Sequence, residues 1–289
     1  MKAFYENRTY SSEIPVSASI SNNLDFMAHW HTDIEMIYVC DGHIGVGINS
    51  EYRLLKKGEI AVCGSNDIHY YENNGHASTV ILLIFRAEML NSFGYWPENY
   101  FPCSIFMDNE YFSAHKADSK VYHDIKAVFE KIVHEMSQKN DLYPRFTELY
   151  ICELFMTFFR YFPTYYQDSL NTLVGSRDNS DIKPMQKALK YLEENYTQNI
   201  SLEQISNEAN ISRYYFSRLF RKTTGMNFNK YLARIRADKA EALIKTTRKP
   251  IIEIAYETGF YSVRTFNRTF KELKGITPQS LRRDNPLHK

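Results

Sequence analysis

Short apolar runs separated by turn residues dominate residues 13–86. The runs 35–40, 44–48 and 60–63 are each followed by Gly, Asn, Ser or Asp residues that favour chain reversal. Runs of this length, bounded in this way, are typical of short strands in an antiparallel domain. The pattern therefore predicts a compact β-barrel or β-sandwich in this part of the chain.

A helical spacing of apolar residues replaces this pattern later in the chain. Residues 120–137 place most apolar side chains on one face, and residues 146–162 form a second apolar segment between Pro144 and Pro163. Proline suits the first turn of a helix and also marks where a helix ends. We therefore predict two amphipathic helices within 120–162. They carry more apolar surface than one small barrel needs. Their apolar faces are therefore expected either to pack on the barrel or to form a dimer interface.

A polar segment at 171–182, with Gly175 and Ser176, is predicted to be a linker. From residue 181 onward, the pattern is helical. The fold class is therefore expected to be α+β multidomain, with a β-barrel domain and its amphipathic helices at 1–170 and an all-α domain at 183–289. The length of 289 residues suits two domains.

Two segments of the all-α part, 212–225 and 262–275, share one pattern at an offset of 50 residues. Both fit S-x3-F-x-R-x-F-[KR]-x3-G. The serine is a helix N-cap, the two phenylalanines bury one face, and the glycine ends the helix. The arginine lies two residues after the first phenylalanine and points away from the core. Each copy therefore predicts one amphipathic helix with an outward-facing arginine.

A shorter helix is predicted before each copy, at 202–209 and at 251–258, with a tight turn between the two helices. Helix, tight turn and helix form the unit whose second helix enters the major groove of DNA. One long helix at 227–246 separates the two units and is expected to fix their spacing. The repeat therefore predicts two DNA-reading units, and a plain helical bundle is the alternative.

The formal charge is distributed unevenly, although the whole chain carries only +1. Residues 183–289 contain 21 Lys and Arg against 10 Asp and Glu, a net +11, whereas residues 1–182 carry −10. A basic module attracts phosphates and an acidic one repels them. We therefore expect the basic half to bind double-stranded DNA; a basic surface that only aids solubility is the alternative.

Residues 183–284 resemble the DNA-binding domain of the arabinose-operon regulator (AraC/XylS) family. The resemblance is carried by Pro250, Gly259-Phe260, Phe266, Arg268, Phe270-Lys271, Gly275, Thr277-Pro278 and Arg282. It implies a module of seven helices with two readers, activation of transcription through RNA polymerase, and a small-molecule effector. The base-facing positions that it implies are Arg213, Tyr214, Ser217 and Arg218 in the first reader, and Val263, Arg264, Thr265, Asn267 and Arg268 in the second.

The β domain carries His29, His31, Glu35 and His69 at spacings that resemble those of the cupins, in which two His, a Glu and a further His bind a metal ion. His29-Trp30-His31 opens the pattern H-x-H-x3-E-x6-G through Glu35 to Gly42. Gly58, His69 and Asn73 follow the spacing G-x10-H-x3-N, but Gly64 and Asn66 stand where the second cupin motif usually has Pro and Gly. A cupin is a small double-sheet barrel with a central pocket.

Two interpretations of this pocket remain open. His29, His31, Glu35 and His69 are suited to iron, manganese or zinc. Alternatively, they line a pocket for a sugar without any metal, with Trp30 and Tyr38 stacking on the ring. We favour the second and predict a carbohydrate-responsive homodimer with no cofactor and no enzymatic activity. A metal-dependent cupin enzyme, a metal sensor and a DNA binder with a purely dimerising barrel are the alternatives.

The sequence has no features of a secreted or membrane protein. Residues 1–12 are polar, and the longest aliphatic run, 80–85, is much shorter than the roughly 20 residues that span a bilayer. None of the four cysteines forms a C-x-x-C pair, and no P-loop, G-x-S-x-G or Rossmann glycine motif is present. We therefore expect a cytoplasmic protein that does not contact a membrane.

Overall fold

The computed structural model describes residue 6 and residues 8–10, 13–92, 105–114, 119–161 and 179–284. The chain divides into two compact units, one of residues 5–182 and one that contains residues 183–289. The division into domains at 1–170 and 183–289 with a linker stays a prediction, because residues 162–178 lie outside the described residues. The last part of the predicted linker, 179–182, is helical in the structure.

The described part of the first unit contains eight strands, all paired antiparallel. They are β1 (Val16–Asn22), β2 (Phe26–His29), β3 (Ile34–Ile48), β4 (Glu51–Lys56), β5 (Ile60–Cys63), β6 (His69–Glu72), β7 (Ser78–Phe85) and β8 (Ile105–Met107). The order β1-β7-β3-β5-β8 forms one sheet, while β4 and β6 pair with the second half of β3, and β2 pairs with β6. The long strand β3 therefore belongs to both sheets.

Gly42 lies where β3 passes from one sheet to the other. Its φ is +71°, and a Cβ at this position would lie 1.9 Å from the carbonyl oxygen of Ala77. The pairing register between β3 and β7 also shifts between Val39 and Asp41. Only glycine fits this bend without a clash. The bend separates the two halves of β3, so the first half, with Glu35, lies in the sheet that also contains β7 and β5.

Helices cover one face of the sheet in this unit. A 3-10 helix (Ala87–Ser92) and α1 (Asn109–Ala114) are short, whereas α2 (Ser119–Gln138) and α3 (Tyr143–Tyr161) are long. The buried side of α2 and α3 packs on the sheet: Tyr38 stacks on Phe129 at 5.3 Å between ring centroids, and Phe85 meets Phe155 at 5.8 Å. Packing on the sheet therefore accounts for the apolar faces of both helices in large part.

The described part of the second unit is entirely helical. Its seven helices are α4 (Asn179–Asn195), α5 (Leu202–Glu208), α6 (Arg213–Thr224), α7 (Phe228–Thr246), α8 (Ile251–Glu257), α9 (Val263–Lys274) and α10 (Pro278–Arg283). The prediction of seven helices with two helix-turn-helix units is confirmed. No helix in the described ranges is both long enough and apolar enough to cross a membrane.

Candidate functional site

Three histidines and one glutamate of the first unit converge inside the sheet structure. His29 ends β2 and is paired with His69 at the start of β6, while Glu35 lies in β3. All four side chains, including that of His31, are 1% exposed or less. One ligand atom of each lies within 4.8 Å of the others. The fold therefore brings together residues that are up to 40 positions apart in sequence.

Each imidazole ring is oriented by a backbone carbonyl. The Nδ1 atoms contact carbonyl oxygens in three pairs: His29 with Met27 at 3.0 Å, His31 with Asp33 at 3.0 Å, and His69 with Asp67 at 2.9 Å. A carbonyl only accepts, so Nδ1 carries the proton and donates it. The three Nε2 atoms then face Oε2 of Glu35, at 2.9 Å from His31, 3.5 Å from His69 and 4.0 Å from His29.

The charges of the cluster follow from burial and mutual contact. Burial lowers the pKa of His29 well below its ordinary value, and the nearby His69 acts in the same direction. Burial opposes ionisation of Glu35, but the nearby His69 and the 2.9 Å contact with His31 outweigh it and hold the pKa of Glu35 well below its ordinary value. Burial likewise disfavours a charge on His69, yet Glu35 raises its pKa. A buried carboxylate surrounded by imidazoles is an environment that favours a cation.

The four residues fit a divalent metal ion. His69 Nε2 is buried and has no hydrogen-bond partner among the described residues, and leaving a polar atom in that state is costly. Histidine Nδ1–H groups held by carbonyls are the usual outer contacts of metal-binding histidines. Three imidazole nitrogens and one carboxylate suit iron, manganese or zinc. The geometry therefore supports the metal interpretation over the one favoured from the sequence.

Two residues that the sequence did not single out contact Glu35. The hydroxyl of Tyr71 donates to Oε1 at 2.6 Å, and Arg8 Nη2 lies 3.8 Å from Oε2. Tyr71 follows His69 by two residues in one strand, and this spacing places both side chains on the same face. The alternation of side chains along β6 could therefore have predicted, from the sequence, that Tyr71 lies beside His69. Arg8 lies outside both cupin motifs, and no local pattern points to it.

The two aromatic residues predicted to line the pocket have different environments. Trp30 is buried, and its carbonyl accepts the N–H of Glu6 at 3.0 Å. Tyr38 packs with Phe129 of α2 on the opposite face of β3 from Glu35. The prediction that Tyr38 shares a ligand pocket with the histidines is therefore wrong. The reason is the two-residue period of a strand, which directs positions 35 and 38 to opposite faces.

Removing the Tyr71 hydroxyl is expected to weaken metal binding. In Tyr71→Phe, Oε1 of Glu35 loses its hydrogen bond, and loss of such an outer contact typically costs about 10–100-fold in metal affinity. Competition with a chelator of known affinity measures the change. Tyr52→Phe is the matched control, because that hydroxyl bonds to Asn74 at the surface. Equal affinities in both variants would exclude a role for Tyr71.

In the second unit, the two repeat helices begin and end alike. Ser212 Oγ accepts the N–H of Tyr215 at 3.3 Å, and Ser262 Oγ accepts the N–H of Thr265 at 3.4 Å. Each helix ends at a glycine with φ of +73°. The phenylalanine pairs are buried, with ring centroids 5.3 Å apart in α6 and 5.5 Å apart in α9. The predicted caps, buried pairs and glycine stops are confirmed.

The predicted base-facing residues lie on the opposite side of these helices from the phenylalanines. Val263 is half-buried, and the others are exposed: Arg213, Tyr214, Ser217, Arg218, Arg264, Thr265, Asn267 and Arg268. The Arg218 guanidinium lies over the ring of Tyr215, 5.5 Å from its centroid. Each reader therefore presents arginine beside small polar side chains, which suits base edges in the major groove.

Comparison with known proteins finds a matching family in each unit. The helix-turn-helix domain family matches residues 205–284, and the cupin domain family matches residues 19–85. The transposon Tn10 TetD protein of Escherichia coli is 32% identical over 121 residues, covering 41% of this chain and 88% of that protein. The multiple antibiotic resistance protein MarA of Escherichia coli K12 is 30% identical over 110 residues, covering 38% and 87%. This chain belongs to the AraC/XylS family.

As an AraC/XylS regulator, the protein binds DNA through its helix-turn-helix domain and has an N-terminal cupin domain, which confirms the predicted fold class. The DNA-binding domain of AdpA, a global transcriptional factor solved with a target DNA, is 27% identical to this regulator. The match covers 35% of this chain and 91% of the AdpA chain, with a TM-score of 0.33.

Proposed function

We propose that this AraC/XylS regulator activates transcription, by recruiting RNA polymerase, when an effector binds its N-terminal cupin domain. In this proposal, domain 1–170 senses the effector and linker 171–182 joins it to the DNA-binding domain 183–289. An effector changes DNA binding only if it binds the active and inactive states with different affinities. The four-residue cluster of His29, His31, Glu35 and His69 is the observation that carries the sensing part.

The effector that the geometry favours is a divalent metal ion, alone or with a carbohydrate. A bound metal acts as a Lewis acid that attracts oxygen ligands, and sugar hydroxyls provide such oxygens. The chain's own contribution is orientation: the Nδ1 contacts of the histidines aim their Nε2 atoms, and Tyr71 holds Glu35. We propose that the cluster senses and does not catalyse, in keeping with the regulators that the chain resembles.

A homodimer is the proposed functional form, and the exposed side of α3 is its interface. Leu142, just before the helix, together with Phe146, Leu149 and Met156, leaves large apolar side chains exposed at spacings of three, four and seven residues. This spacing places them along one stripe of the helix. Contiguous exposed apolar patches of this kind mark protein–protein contacts.

The test of the proposed function is binding of the full chain to DNA with and without candidate effectors. A binding site is first selected from random DNA, and its affinity is then measured after chelation, with added Zn²⁺ or Mn²⁺, and with sugars. A change with metal that disappears in His31→Gln supports a metal-dependent sensor, and a change with sugar alone supports a carbohydrate sensor. Affinity that none of these ligands alters would contradict the proposal and leave a constitutive DNA binder.

The arginines of both readers are expected to contribute to this binding. Arg218→Ala and Arg268→Ala should each cost about 1–3 kcal/mol of specific binding, because each removes donors aimed at base edges. Fluorescence anisotropy with the selected site measures the loss. Arg283→Ala removes an exposed arginine beyond α9 and serves as the control. Unchanged affinity in either reader variant would remove that arginine from base recognition.

A further inference from the structure

The two readers pack on different halves of the long helix α7. The first reader, α5–α6, contacts the N-terminal half, where the ring of Phe220 lies 5.2 Å from that of Tyr231. The second reader, α8–α9, contacts the C-terminal half, where Ala240 and Ile244 join the cluster that contains Phe266. Rotation or bending between the halves is therefore opposed by α7 itself and by any contact that bridges them.

Arg236 makes such a bridge from the middle of α7. Its Nε donates to the carbonyl of Tyr196 at 2.7 Å, and its Nη2 donates to the carbonyl of Gln198 at 2.8 Å. Both carbonyls belong to the corner between α4 and α5, on the side of the first reader. The guanidinium also lies over the ring of Tyr261, 5.9 Å from its centroid, in the turn of the second reader.

Gly259 brings that turn against the same corner. Its φ is +85°, and a Cβ there would lie 2.8 Å from Cα of Thr197, 2.9 Å from the carbonyl oxygen of Tyr196 and 3.0 Å from Nε of Arg236. The turn of the second reader therefore approaches the corner before the first reader at backbone distance. A side chain at position 259 would displace the backbone or the guanidinium.

We propose that Arg236 and Gly259 set the orientation of the second reader relative to the first, and thereby the spacing between the two DNA segments that the protein accepts. Arg236 is a positioning residue in this role and does not itself read bases. The guanidinium suits it, because two donors of one planar group reach two carbonyls and the same plane lies on an aromatic ring. Two readers held in this way bind DNA segments that are separated by a fixed number of base pairs. The two half-sites of a dimeric protein are likewise bound at a fixed spacing.

The inference rests on both readers contacting one DNA, which Arg218→Ala and Arg268→Ala test separately. The spacing test uses the selected DNA site and the same site with one base pair inserted between the two contacted segments. The insertion should weaken wild-type binding by about tenfold or more, the order of loss for a mismatched base pair. In the Arg236→Met protein, the same insertion should weaken binding by roughly threefold or less relative to the original site. The affinity of this variant for the original site should also be lower than that of the wild type.

Lys230→Met is the matched control, since it removes a positive charge from an exposed position in the first turn of α7. It should keep the wild-type response to the insertion. Gly259→Ala is the second variant, and it should resemble Arg236→Met. Spin labels at Lys222 and Glu272, exposed and equivalent positions of the repeat, report reader orientation in the free protein.

The distance distribution between the labels should broaden or shift in Arg236→Met and in Gly259→Ala, with the helical content of folded protein retained. The inference would be overturned if Arg236→Met and Gly259→Ala both kept the wild-type distance distribution and lost as much affinity on the insertion as the wild type does. If Arg218→Ala or Arg268→Ala leaves DNA affinity unchanged, the premise that both readers contact the DNA is overturned instead.

Discussion

Zn²⁺ or Mn²⁺ at about a thousand times its dissociation constant is expected to raise the free energy of unfolding of the first unit by about 4 kcal/mol. The native chain holds three Nε2 atoms and Glu35 within reach of one ion, whereas the unfolded chain does not assemble them. Trp30 lies in this unit, and residues 183–289 contain no tryptophan. Tryptophan fluorescence of the full chain during urea unfolding therefore measures this change selectively.

Loss of one ligand should remove most of that gain. If His69→Ala lowers metal affinity by at least about 100-fold, the same metal concentration leaves less than half of the stabilisation. His123→Gln, a substitution on the exposed side of α2, should keep the full gain. Equal gains in His69→Ala and wild type, or no gain in wild type at millimolar metal, would exclude a metal site in this cluster.

Phe266→Ala is expected to destabilise the second reader by about 3–5 kcal/mol, as truncation of a fully buried phenylalanine generally does. The side chain is completely buried, with its ring 5.1 Å from that of Phe260 and 5.5 Å from that of Phe270. The cluster around it is small, so its neighbours have few ways to fill the cavity. Amide hydrogen exchange of α8 and α9 measures the loss locally.

The matched control is Tyr256→Ala, an aromatic truncation in α8 of the same reader at a side chain that is 56% exposed. It should change stability by less than about 0.5 kcal/mol, as surface substitutions do. Specific DNA binding should fall sharply in Phe266→Ala, because α9 loses the packing that holds Arg268 in place. Similar protection of α8 and α9 in both variants would contradict this account of the core.

The DNA-binding unit was predictable from its sequence because its signals are local. The cap of Ser212 reaches an N–H three residues away, the Phe pairs are four residues apart, and the glycine stops act on the turn before them. Such contacts depend on the helix alone. A second copy of the whole pattern 50 residues later made the two readers recognisable.

Tertiary structure decided how the two readers are oriented relative to each other. That Arg236 faces the carbonyls of Tyr196 and Gln198, and that Gly259 meets the same corner, depends on how segments about 40 and about 60 residues apart in sequence pack. No spacing rule connects these positions. The angle between the readers is therefore a property of packing and cannot be derived from the repeat.

The same division applies to the cupin unit. The sequence by itself determined which residue types belong to the candidate site, because His29, His31, Glu35 and His69 follow a recognisable spacing. It did not determine that Tyr71 joins them, that Tyr38 faces the helices, or that carbonyls aim every Nε2 at one carboxylate. Strand pairing and the bend at Gly42 decided these points, because His29, Glu35, His69 and Tyr71 come from three strands whose register is set by long-range hydrogen bonds.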